Sequence, residues 1–284
     1  MAPKTVNGKR VLITGAASGI GRATAVASAR RGAELFLTDV NDASLQAAAA
    51  EIRAAGGTVY YAQALDVSDH AAVAAMADEI HAAHDSLDVV MNIAGIAVWG
   101  AVENLSHEQW RRVIDVNLMG PIHVIESFVP AMIIAGRGGH LVNVSSAAGL
   151  FGLPWHAPYS ATKFGLRGLS EVLRFDLRRH DIGVSLVCPG AVDTGLVTTV
   201  EIAGVDRTRP AIQKATAGFQ RHAATPEQAA ERILSGVERN RYWVYTSRDI
   251  QIAHFLQRRF ETGYALVMRA ANNRFTAIMA RGRG

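Results

Sequence analysis

The chain is 284 residues long, 49% hydrophobic and 19% charged, with a formal net charge of +4. That composition supplies a sizeable core and excludes a disordered or fibrous chain, and the length suits one α/β domain. A single cysteine, Cys188, excludes an intramolecular disulfide and a cysteine-based metal centre, so no metal is expected and a reducing, cytoplasmic setting is. In chain order, short apolar runs predict strands over 10–14, 34–39, 58–64, 88–92, 140–144, 183–187 and 242–246. Between them, apolar residues at three- and four-residue spacing predict helices over 20–31, 42–55, 70–84, 107–134, 158–180 and 226–238. The last opens with Thr225 as N-cap, Pro226 at the first helical position and an acid in the first turn. This alternation predicts an α/β fold, a single doubly wound domain over 1–247 with a parallel seven-stranded sheet and helices on both faces.

Two parts depart from the alternation. Residues 193–224 carry few strand or helix signals and follow the sixth strand, at the edge where such sheets bind ligands, so a substrate lid is expected there. Residues 248–284 read as a basic amphipathic extension. From 241 onward eight arginines stand against Asp249 and Glu261, with Ile252, Phe255, Leu256, Phe260, Val267, Met268, Phe275 and Ile278 at roughly helical spacing. Three roles are open, in this order: a helix closing over the active site or a partner subunit, peripheral membrane contact on anionic lipid, and a nucleic-acid contact. No nucleic-acid partner is expected. Gly263 is expected to split the segment into two helices. No secretory signal is read at the start, and no stretch reads as a membrane-spanning helix, the late apolar run being broken by Arg269, Asn272, Asn273 and Arg274.

The first strand runs into TGAASGIG, in which Gly15, Ser18, Gly19, Ile20 and Gly21 precede a helix. Glycines there let the backbone turn tightly and approach a pyrophosphate, whose charge the helix N-terminus stabilises. Asp39 ends the second strand, where its carboxylate accepts hydrogen bonds from adenosine ribose hydroxyls and repels a 2′-phosphate. The expected cofactor is therefore NAD; Arg22 and Arg30 lie close enough in sequence to leave NADP open. Asp66 and Val67 follow the third strand, and Asn92, Ala94 and Gly95 lie in NIAG at the end of the fourth, all at the edge where adenine and ribose would rest. Farther along, Tyr159 and Lys163 stand four residues apart on a predicted helix, on one face, where an ammonium favours the phenolate of its neighbour.

With these motifs, Asn117, Ser146, YSATK and CPGAVDT in this order, the chain resembles the short-chain dehydrogenase/reductase superfamily, the branch with TGxxxGxG and YxxxK motifs, over roughly residues 8–247. The resemblance implies a Rossmann-type fold and an oxidoreductase that acts on a CH–OH group. It implies Tyr159 as general acid/base, and Lys163 as the residue that lowers the phenol's pKa and holds the nicotinamide ribose. Ser146, thirteen residues before the tyrosine, would bind the substrate oxygen in preference to Ser145. Asn117 would hold a water in the proton relay, and Pro189, Gly190, Val192 and Thr194 would contact the nicotinamide carboxamide. Asn143 reads as strand-end scaffolding. Homodimers or homotetramers through the helices near 107–134 and 158–180 are implied as well.

Ile96, Val98, Trp99, Leu150, Phe151, Leu153, Pro154 and Trp155 would line the substrate mouth, apolar and without paired arginines. A hydrophobic small-molecule secondary alcohol or ketone is therefore the expected substrate. His156 is expected to be a solvent-facing loop residue. Alternatives are an NADP-dependent ketoreductase of lipid or secondary metabolism, and a non-catalytic nicotinamide-sensing protein.

Overall fold

A computed structural model of the protein describes residues 5–195, 199–220 and 223–280. Seven parallel strands make the main sheet: β1 (Arg10–Thr14), β2 (Glu34–Asp39), β3 (Thr58–Ala64), β4 (Val89–Asn92), β6 (Gly139–Val144), β7 (Ile182–Cys188) and β9 (Trp243–Tyr245). Their spatial order is β3-β2-β1-β4-β6-β7-β9. Side chains alternate across the sheet with period two. Val11, Ile13, Leu35, Leu37, Val89 and Met91 enter one core, while Leu12, Phe36 and Val90 enter the other. The first core is closed by helices α1 (Gly19–Arg30), α2 (Asp42–Ala54) and α8 (Pro226–Glu238), the second by α3 (His70–His84) and α5 (Gly120–Ala135). Thr225 caps α8 in a capping box with Gln228, as the sequence predicts. Because β1 is flanked by β2 on one side and β4 on the other, the strand order reverses there, and the carboxyl ends of β1 and β4 form the crevice in which this architecture binds ligands.

The helix expected over 107–134 is one rod in three pieces: α4 (His107–Ile114), a π-helical turn (Asp115–Met119) and α5. Contrary to the sequence reading, the rod 107–135 is long and apolar enough to cross a membrane by length and composition; in the fold its Val124, Phe128 and Met132 are buried beneath the sheet. The helix expected over 158–180 is α6 (Ala157–Asp176), ending in a 3-10 turn.

Of the segment 193–224, residues 196–198, 221 and 222 lie outside the described residues. The remainder is more regular than expected. It holds β8 (Glu201–Ile202), paired in parallel with β5 (Val98–Trp99), and helix α7 (Pro210–Gln220). Two-residue strands are too short to show alternation, which is why neither was legible in the sequence. Glu201 is held by Gln109 and Arg112, so α4 anchors the start of this segment. The extension forms α9 (Arg248–Gln257) and α10 (Glu261–Ala280), and α10 packs on α7. The break falls at 258–260. Gly263 instead lies in the first turn of α10, where N–H groups have no intrahelical partner to lose.

Candidate active site

The two loops of the crevice are tied together by Thr14, whose buried hydroxyl accepts hydrogen bonds from the Ile93 N–H (3.0 Å) and the Ala94 N–H (3.1 Å). Gly15 has φ +70°, and a Cβ on it would stand 2.8 Å from the Ala94 Cα. A Cβ on Gly21 would stand 1.9 Å from the Gly15 carbonyl oxygen. Only glycine allows backbone to close this tightly, and the resulting cradle at the start of α1 fits a pyrophosphate. Ser18 is the N-cap of α1 and makes no capping bond with its side chain; Ile20 packs on the core beneath. A methyl on Gly19 would lie 3.1 Å from the Thr194 side chain, which places Thr194 over the glycine loop.

Asp39 stands beside this cradle. Its carboxylate accepts from the Ala17 N–H and the Asn41 N–H, both at 3.0 Å. Arg22 is ion-paired with Glu51. Asp66 accepts from the Ser68 N–H (2.9 Å) and hydroxyl (2.7 Å), and the Val67 carbonyl oxygen meets His123 Nδ1 at 3.0 Å. On the other side of the crevice the Pro189 carbonyl accepts from the Ala147 N–H (2.7 Å), the Gly190 N–H donates to the Thr246 hydroxyl (3.2 Å), and Val192 bridges to Ala224. Asn92 is placed differently from the expectation. Its amide donates to Asn143 Oδ1 (2.9 Å), and the Asn143 amide donates to the Ser170 hydroxyl (2.9 Å). Three buried polar side chains satisfy one another under the sheet edge, so the side chain of Asn92 is scaffolding together with Asn143.

Ser146 caps a 3-10 turn with its hydroxyl, which accepts from the Ala148 N–H at 3.1 Å, and it stands beside the phenol of Tyr159, whose pKa it lowers. Lys163 lies one turn along α6, its Nζ 5.6 Å from the centre of the tyrosine ring and donating to the Val144 carbonyl at 3.0 Å. Ser145 is engaged elsewhere, its hydroxyl donating to the Lys163 carbonyl at 2.9 Å and bracing α6 against β6. Asn117 sits in the π-helical turn, fully buried, with its amide oxygen and nitrogen bonded to the N–H and carbonyl of Ile96, each at 2.8 Å. A methyl on Gly95 would lie 3.1 Å from Asn117 Oδ1 and 3.5 Å from Lys163 Nζ, so the NIAG loop brings the asparagine and the lysine together. The extra residue in the π turn aims Asn117, and no residue type marks such a turn in the sequence.

Burial governs the electrostatics. It pushes the Tyr159 phenol up, opposed by the neighbouring Ser146, and it lowers the Lys163 ammonium to about 8. From the four-residue spacing Lys163 is expected to lower the phenol; desolvation of both groups outweighs that effect in the protein alone. At neutral pH the Tyr159 phenol is thus protonated. Among the described residues no group of three metal-capable side chains occurs.

The substrate side differs most from expectation. Leu150 and Phe151 do not face Tyr159 but pack with Leu186 and Cys188. Around Tyr159 the structure gathers Trp99 from β5, Trp155, Ile212 from α7, and Phe275, Ile278 and Met279 from α10. His156 is not a solvent-facing loop residue. It stacks on Trp99 with ring centres 4.4 Å apart, and burial lowers its imidazole to about 4. Met279 escaped the sequence reading, although its spacing to Phe275 and Ile278 continues an apolar helical stripe.

Known proteins share this geometry. A family model described as short chain dehydrogenase matches residues 9–203. The chain is 37% identical over 238 residues to a Mycobacterium tuberculosis protein called probable oxidoreductase EphD; the match covers 81% of this chain but spans only 40% of that relative. It is similar to the solved structure of a short chain dehydrogenase/reductase from Burkholderia phymatum in complex with NAD (TM-score 0.81, 31% identity, 89% of this chain and 94% of that one). It is also similar to that of a metagenomic short-chain oxidoreductase in complex with NADP (TM-score 0.68, 33% identity, 84% of this chain and 95% of that one).

Proposed function

The chain belongs to the short-chain dehydrogenases, and from that premise we propose that it is an NAD-dependent oxidoreductase interconverting a hydrophobic secondary alcohol and its ketone, with Tyr159 as general acid/base. The observation that carries the reading is the Tyr159 phenol itself, buried beside Ser146, near Lys163 and enclosed by apolar side chains. The cradle that a Cβ at Gly15 or Gly21 would fill suits the cofactor, with Ser18, Gly19 and Ile20 opening the helix at the pyrophosphate and Asp39 at the adenosine ribose. When bound, the nicotinamide cofactor supplies or accepts the hydride.

The chain's own residues move the proton. In reduction Tyr159 Oη gives its proton to the substrate oxygen, and in oxidation it takes it back. The Ser146 hydroxyl donates to that oxygen as negative charge develops on it. Lys163 replenishes the proton from the far side of the ring, and Asn117, clasping the backbone of Ile96, keeps that end of the path in place. Engagement of Arg22 by Glu51 leaves Asp39 as the charge nearest the ribose position and supports NAD over NADP. Exposed Ile134, Phe164, Val172 and Phe175 on α5 and α6 support a homo-oligomer joined through those helices.

The test is titration of the purified protein with NADH and with NADPH, followed by energy transfer from tryptophan to the nicotinamide, and then a screen of apolar secondary alcohols with NAD. Tighter NADH binding with alcohol oxidation is expected. Preference for NADPH would make the protein a ketone reductase of the NADP type, and absence of binding to either would defeat the redox reading.

A further inference from the structure

Helix α10 lies beyond the last strand of the sheet, yet it reaches the catalytic side chain. Phe275 stands with its ring centre 5.5 Å from that of Trp155 at 69° and 6.5 Å from that of Trp99 at 65°. Met279, at 4% exposure, packs in the same cluster as Tyr159. A second tie is polar: Tyr264 Oη accepts a hydrogen bond from the Gly152 N–H (2.8 Å), joining α10 to the loop between Ser146 and Tyr159. The helix is therefore fixed to the site at two points a few turns apart. Phe275 thus meets both tryptophans edge to face, one of the arrangements aromatic pairs prefer, while His156 lies against Trp99 with ring centres 4.4 Å apart. The Trp99 indole N–H is buried and has no hydrogen-bond partner among the described residues. A buried donor left unpaired is costly, and an acceptor on a bound molecule removes that cost.

We infer that α10 is part of the substrate site, and that Trp99, Trp155 and Phe275 form an aromatic box selecting an alcohol or ketone whose reacting carbon carries an aryl or polycyclic body with an oxygen acceptor. The inference rests on the oxidoreductase reading above and deepens it from hydrophobic in general to aromatic in particular. It also gives the extension a role within its own chain, since the segment packs in the cluster that holds Tyr159.

The experiment compares 2-butanol, 1-cyclohexylethanol, 1-(2-naphthyl)ethanol and 1-(6-methoxy-2-naphthyl)ethanol with the full chain and the preferred cofactor. In the wild type kcat/KM rises at least tenfold from 2-butanol to the naphthyl alcohol and again with the methoxy group. Phe275→Ala lowers the naphthyl to 2-butanol ratio at least tenfold, through KM. Phe275→Leu, which keeps an apolar side chain in the helix, lowers the naphthyl to cyclohexyl ratio about fivefold. Trp99→Phe abolishes the methoxy gain. Ratios unchanged in the Phe275 variants, or raised in them, overturn the inference. If NADH binds but none of these alcohols is oxidised and none of the corresponding ketones is reduced, the oxidoreductase reading fails separately. The box is then read by calorimetric binding of 2-acetonaphthone to the NADH complex, where Phe275→Ala weakens binding tenfold if the box exists and leaves it equal if it does not.

Discussion

The two halves of the crevice are built by opposite means. The cofactor half is backbone: Gly15 and Gly21 admit main chain where any Cβ would collide, and its parts lie within a few residues of strand ends that pair in register. The substrate half is side chain: Trp99, Trp155, Ile212 and Phe275 come from four segments far apart in sequence and meet only through tertiary packing. Backbone cradles tolerate almost no substitution but look alike in every chain that makes them. Packed boxes tolerate exchange of one apolar group for another and so carry what is particular to one protein.

That contrast is broken most severely at the proton donor between the halves. Tyr159→Phe should lower turnover by about 10²–10⁴-fold, the usual worth of a positioned acid/base, while NADH affinity stays within about twofold; steady-state rates and fluorescence titration on the same preparation separate the two. Next comes the cradle. Gly21→Ala pushes a methyl into the Gly15 carbonyl, so NADH affinity should fall by more than about tenfold with a clear loss of melting temperature, since an overpacked contact costs about 1–3 kcal/mol. A titration giving wild-type affinity would show the loop relaxes freely. A smaller effect is expected at Asp39→Ala, where the NADPH to NADH affinity ratio should rise by about tenfold, the equivalent of about 1.4 kcal/mol; an unchanged ratio would assign cofactor choice elsewhere.

A pH-dependent test sharpens the substrate half. Burial holds the His156 imidazole at about 4, below its unfolded value of about 6.5, so the folded site keeps it neutral. The unfolded chain binds that proton first as pH falls, so the contribution is complete above about pH 6.5 and is lost toward pH 4. Urea unfolding should therefore show wild-type stability falling faster than that of His156→Asn between these values, by at most about 1 kcal/mol per pH unit. Equal slopes would mean that the ring is solvated in solution.

The same contrast explains what was legible in the sequence. The parallel seven-stranded sheet, the strand and helix positions, and the placing of Tyr159 and Lys163 on one helix follow from periodicity and short spacings, and the structure shows them. The resemblance implies Ser146 rather than Ser145, and in the structure the Ser145 hydroxyl is engaged by the Lys163 carbonyl. Less was legible where a role depends on partners distant in sequence. Asn92 read as part of the cofactor edge until Asn143 took its amide, and His156 looked solvated until Trp99 and Phe275 covered it. The π turn at Asp115–Met119 has no compositional mark at all.

Helix α10 lies outside the sheet and meets the rest of the site through Phe275, Ile278 and Met279 in the Tyr159 cluster and through the Tyr264 hydroxyl at Gly152. For a lineage acquiring new substrates this is a convenient separation. Substitutions within 261–280 can drift and be selected for a different molecular shape while the nucleotide cradle, the proton donor and the folding of the sheet are inherited unaltered.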